Sequence, residues 1–213
     1  MNEYSQSLQG FIELVKRGNY LVLDTETTGL GDQAEICQIA VIDDQGQTLL
    51  DTFVKPTRPI PSDATVIHGI TDEMVSNAMG WKHIGLELAL IIARRDVIIY
   101  NANYDLKMMR QSGEAAGVHT SGWGNIATFH CAMNTFAEVY GDWNYRYSSW
   151  KWKPLATACY YYDIPVTSAH TALGDCRMTL AVAKKIAGVS MDDEDPESPM
   201  NPLNPYDRND ALW

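Results

Sequence analysis

The sequence predicts an α/β fold in which a mixed β-sheet is covered by helices. Three β-rich runs near the N-terminus are joined by hairpin-length links, and later apolar runs alternate with segments of helical period. Size and composition agree: 213 residues, 46% hydrophobic and 20% charged, can bury a core within one domain. The same composition excludes a wholly disordered chain, a coiled coil and a collagen-like fibre. No apolar run approaches the ~18 residues of a spanning helix, so no membrane partner is expected.

The elements follow in order. Residues 5–17 put Leu8, Phe11, Ile12 and Val15 on one helical face. Tyr20 to Asp24 reads as a buried strand, Ile36 to Asp43 as a second, and Thr48 to Val54 returns as a third after the Asp43-Asp44-Gln45-Gly46 turn. Lys55 to Pro61 is a proline-bearing loop, and a short helix begins near Thr71. A longer helix over 82–94 precedes a strand from Val97 to Tyr100 and a helix from about Asn103. A strand near Ile126 to Phe129, helices over 132–139 and 154–162, and a last helix over 170–187 ending at Gly188 complete the body.

Charge divides the chain. Residues 189–213 hold seven acidic side chains against Arg208 alone, and four of the prolines, in a net charge of −11 for the whole. That stretch reads as a separate acidic, Pro-rich tail, disordered or loosely docked, with a protein partner as its functional option. The body, residues 1–188, carries 20 acids and 15 bases, which disfavours coating duplex DNA through a broad basic face but permits a metal-dependent enzyme on a polyanion. Cys37, Cys131, Cys159 and Cys176 form no C-x-x-C pair and read as free buried thiols. The opening MNEYSQSLQG lacks the basic start and apolar core of a signal peptide, so a cytoplasmic protein is expected.

Three acidic motifs carry chemistry. Asp24-Thr25-Glu26 ends the first strand, where residues i and i+2 share a face. Two neighbouring carboxylates repel unless a cation or proton lies between them. Asp105 follows the strand at Tyr100 in the first turn of a helix that Asn101 and Asn103 can cap. His170 and Asp175 sit five apart at the start of the last helix, about 140° around its axis. Each motif has a plain structural reading, as strand end, helix cap or surface histidine.

Taken together, D-x-E on a strand, N-x-x-x-D after a later strand and H-x-A-x-x-D on a late helix resemble the DEDDh, or DnaQ-like, exonucleases. Leu23 to Leu30 is similar to the first family motif, Tyr100 to Met109 to the second and His170 to Asp175 to the third. Ile67-His68-Gly69-Ile70-Thr71 resembles a further family segment that packs against the terminal nucleotide. Family members often carry His where this chain has Tyr100 and Asp near Cys131; neither position belongs to the catalytic set.

The resemblance, over about residues 18–188, implies a ribonuclease H-like fold with a five-stranded mixed sheet flanked by helices. It implies a 3′–5′ exonuclease that hydrolyses single-stranded or frayed 3′ ends, DNA favoured, to nucleoside 5′-monophosphates. Two divalent cations, Mg²⁺ or Mn²⁺, ~3.5–4 Å apart would be held by Asp24, Glu26, Asp105 and Asp175. His170 would take the proton of the attacking water, since imidazoles ordinarily titrate near neutrality. Thr25, Thr27, Thr28, Gly29, Leu30, His68, Asn101 and Tyr104 would meet the last nucleotide. Two alternatives stay open: an exoribonuclease of the same fold, like ribonuclease T or oligoribonuclease, and a polymerase-associated proofreading or interaction subunit.

One segment lies beyond the family core. Asp142 to Lys153 interleaves five aromatic residues with Arg146, Lys151 and Lys153, a pattern suited to base stacking and phosphate attraction. Trp150 and Lys151 are therefore added as candidate substrate contacts, against the alternatives of a packing loop or a protein contact.

Overall fold

A computed structural model describes residues 5–118, 122–167 and 170–189. The acidic tail from residue 190 lies outside them. Helix α1 (Gln6–Arg17) precedes strands β1 (Tyr20–Thr27), β2 (Ile36–Asp43) and β3 (Thr48–Phe53). Helices α2 (Ser62–His68), α3 (Asp72–Val75) and α4 (Trp81–Ile92) lead to β4 (Asp96–Ile99), α5 (Ala102–Ala115), α6 (Trp123–Ile126) and β5 (Thr128–Cys131). Helix α7 (Ala132–Tyr140), a small hairpin of β6 (Trp143–Asn144) and β7 (Ser149–Trp150), and helices α8 (Leu155–Tyr161) and α9 (Ala172–Ala187) follow.

The five-stranded sheet has the order β3-β2-β1-β4-β5. β1 pairs antiparallel with β2 and parallel with β4, so β1 is central and the sheet is mixed. Alternation along β1 divides the core. Tyr20 and Val22 pack with α1, α7, α8 and α9, whereas Leu21 and Leu23 pack with α4 and α5. No helix among the described residues is long and apolar enough to cross a membrane.

Several boundaries differ from the sequence reading. α2 falls in a stretch with no helix assigned, because it is seven residues long, buries only Ala64 and leaves Val66 84% exposed. Such a helix has no apolar face to read. β5 begins at Thr128 rather than Ile126, since Trp123 to Ile126 close a short helix whose Trp123 is buried. In α1 the buried face adds Leu14 to Leu8, Phe11 and Val15, and Ile12 packs partly buried at its edge. All four cysteines are free, three of them buried.

Candidate active site

The site forms where β1 runs out beside the N-termini of α5 and α9. Asp24 and Glu26 alternate onto one face of β1, and the ladder with β2 slips between Glu26 and Thr27. This bulge ends regular pairing just past the second carboxylate, as bulges beside active sites often do. Asp175 comes from the first turn of α9, whose N-cap Thr171 accepts the Gly174 N–H at 3.2 Å. Gln38 of β2 accepts the Ala172 N–H at 3.2 Å and Cys176 packs against the carbonyls of Val22 and Ala40, so α9 is tied directly to the sheet. One oxygen each of Asp24, Glu26 and Asp175 lie within 4.8 Å of one another.

Asp105 reaches the site by another route. Its buried carboxylate accepts the Thr25 hydroxyl at 2.7 Å, on the face of β1 opposite Asp24 and Glu26. A cleft of about 180 Å³ is lined by all four acids with Thr25, Tyr100, Asn101, Tyr104, Leu155 and His170.

Electrostatics follow from this crowding. Burial, then repulsion from Asp105, Asp175 and Glu26, pushes Asp24 well above the usual carboxylate range. Burial with Asp175 and Asp105 nearby raises Glu26 to about 8. Asp105 rises to about 7 through burial, although the Thr25 hydroxyl opposes the shift. Burial raises Asp175 to about 6 against the opposing pull of His170. Asp175 Oδ1 is buried and finds no hydrogen-bond donor. A buried carboxylate oxygen without a partner, among three converging acids, fits a cation. An all-oxygen donor set suits a hard divalent ion of the Mg²⁺ or Mn²⁺ kind rather than zinc.

The remaining predicted residues fall into three groups. Tyr104 Oη lies 2.6 Å from Thr27 Oγ1 and donates to Gly29 O at 3.0 Å, while His68 Nε2 lies 3.2 Å from Thr27 O. Leu30, 52% exposed, stands beside this turn. Gly29 at φ 140° occupies backbone space that a side chain would strain. Thr28 serves the turn itself, exchanging hydrogen bonds with the Glu35 backbone. Trp150 and Lys151 are not in the cleft: Trp150 lines a separate cavity of about 370 Å³ with Phe11, Phe129 and His130, and Lys151 pairs with Asp142 at 2.9 Å.

Two helix-start expectations are corrected. His170 is not on α9; it precedes Thr171, is exposed and has φ 63°, so a helical wheel does not describe its relation to Asp175. Asn101 occupies the N-cap of α5 in the left-handed region at φ 75° and makes no side-chain cap, while Asn103 lies inside the helix. Asparagine tolerates that conformation better than most residues. Gln38 was missed at the sequence level. Its role depends on a contact 134 residues away, and no local pattern carries it.

Comparison with known proteins bears on the same region. Residues 21–183 match the family described as Exonuclease, RNase_T. The chain is 43% identical over 170 residues to the uncharacterized exonuclease CP81 of Escherichia phage 186, covering 78% of this chain and 87% of that protein. It is 35% identical over 101 residues to the DNA polymerase III subunit epsilon of Buchnera aphidicola subsp. Schizaphis graminum, covering 43% of each. Exonuclease X, solved in complex with 5′ overhanging duplex DNA, superposes with a TM-score of 0.60 at 22% identity, over 79% of this chain and 91% of that one.

Proposed function

The chain belongs to the RNase_T exonuclease family, and from that premise we propose that it is a metal-dependent 3′–5′ exonuclease acting on single-stranded or frayed 3′ ends of DNA. Water attacks the terminal phosphorus, the bond to the 3′ oxygen breaks, and a nucleoside 5′-monophosphate leaves a strand one residue shorter. The observation that carries the reading is the convergence of one oxygen each of Asp24, Glu26 and Asp175 within 4.8 Å of one another.

Asp24, Glu26, Asp105 and Asp175 would hold divalent cations, which when bound would supply nucleophile activation at neutral pH and charge relief on the leaving oxygen. Asp24 and Glu26, set by one strand, and Asp175, set by α9, would fix where that charge sits. His170, at the mouth of the same cleft, accepts the proton of the attacking water. The Thr27–Gly29 turn, buttressed by Tyr104 and His68, forms the wall for the terminal nucleotide, and exposed Leu30 wedges its base from the next.

The test is a time course on matched 3′- and 5′-labelled single strands, DNA and RNA, with Mg²⁺ or Mn²⁺. Stepwise shortening from the 3′ end is expected, lost with EDTA and in Asp24→Ala; His170→Ala should lose turnover while still binding metal. Faster hydrolysis of RNA would move the substrate class to RNA. A fully active Asp24→Ala enzyme would falsify the metal-site assignment.

A further inference from the structure

The segment from Asp142 to Lys153 lies outside the cleft, yet it is folded. Trp143 and Trp150 pair across the β6–β7 hairpin with ring centroids 4.7 Å apart. Asn144 Oδ1 accepts the N–H groups of Arg146 and Tyr147 and so shapes the tip. This order holds rings out in solvent: Tyr145 is 89% exposed, Tyr147 68% and Trp152 48%. Three large rings held in water within eight residues of one ordered segment offer surface for a ligand to stack on. The aromatic face continues onto the body, because Lys153 Nζ sits 4.7 Å over the Tyr140 ring and Tyr140 packs on Tyr161.

Charge and connection identify the occupant. The segment carries Arg146, Lys151 and Lys153 against Asp142 alone, a local positive excess in a chain of net charge −11. Tyr100, which lines the cleft, donates its hydroxyl to the carbonyls of Lys153 and Pro154 at 2.9 and 3.2 Å. Leu155 lines the cleft as well, and the chain from Trp152 to Leu155 can span at most ~11 Å. A protein partner requires neither the positive excess nor the continuity with the cleft. Single-stranded nucleic acid uses both, stacking bases on rings and phosphates on cations.

We infer that the β6–β7 hairpin is a stacking platform for single-stranded nucleic acid, holding the strand upstream of the 3′ end that enters the cleft. The direction of the strand rests on the exonuclease reading above; the binding itself does not. The experiment measures binding of the full chain, in EDTA, to labelled 20-mers of dT and U and to the trinucleotides.

Tyr147→Ala with Trp152→Ala should weaken 20-mer binding by about tenfold or more and collapse its ratio to trinucleotide binding, while Tyr147→Phe with Trp152→Phe keeps both. Arg146→Ala should reduce the slope of log affinity on log salt by about 0.7. Unchanged 20-mer affinity in the alanine variant, or no binding by the wild type, overturns the platform. Binding that the alanine variant weakens, by a wild type that fails to hydrolyse the same strand once Mg²⁺ or Mn²⁺ is supplied in excess of EDTA, would instead sink the exonuclease reading and leave the platform standing.

Discussion

Thr25 is small, buried and central to the site. Its hydroxyl is the side-chain donor that meets Asp105, and it lies between two acids that alternate to the other face of β1. A donor to a buried ionised group contributes about 1.5–3 kcal/mol. Thr25→Val keeps the shape and removes that donor. The Asp105 carboxyl, already raised to about 7, must then rise further, because the bond favours its ionised form. The expected result is that, in EDTA-treated protein, the Asp105 carboxyl titrates at higher pH in Thr25→Val than in the wild type, followed by carboxyl NMR. An unchanged titration would show that the Thr25 hydroxyl does not hold the ionised form.

At the scale of elements, the site depends on how α9 is seated. Asp175 belongs to the helix, but its distance from Asp24 is set by the sheet. The tie is the Gln38 amide on the Ala172 N–H, with Cys176 against the backbone of β1 and β2. Gln38→Ala frees the first turn of α9 without touching a carboxylate. Support of this kind is worth about tenfold in metal affinity at sites where it has been removed. Mn²⁺ titration should show a Kd raised by about that factor, with the fold retained by circular dichroism. Asp51→Ala, which removes only the weaker 3.4 Å partner of Gln38, should leave the Kd alone.

For the whole molecule, one buried and three half-buried acids in one cleft are a cost borne by the metal-free fold. A carboxyl whose folded pKa lies above its unfolded value favours the fold below about pH 4, where it is protonated in both states. That contribution is lost as pH rises, toward about 6 for Asp175, 7 for Asp105 and 8 for Glu26. A bound cation reverses the penalty on the ionised forms. The rise in Tm on adding Mn²⁺ to EDTA-treated protein should therefore be larger at pH 8 than at pH 6, and Asp24→Asn should shrink it at both. A metal-induced shift independent of pH would mean that these acids are not the ligands.

Much of this was legible in the residues themselves. Strong periodicity identified the long strands and helices, and D-x-E on a strand put Asp24 and Glu26 on one face because the β period is two. Short elements were not legible: α2 lacks an apolar face, and β6 and β7 are two residues each, held by a Trp–Trp pair. His170 was assigned to a helix it precedes, since one residue at a cap changes conformation without changing the pattern. Sequence by itself determined which side chains could serve as ligands and which strand and helices would carry them, for those are properties of residue type and period. Only the tertiary structure decided that Asp24, Glu26 and Asp175 converge while Asp105 is held through Thr25, and that Trp150 faces a different cavity. Convergence is a matter of contacts between residues far apart in the chain, and local pattern carries no information about them.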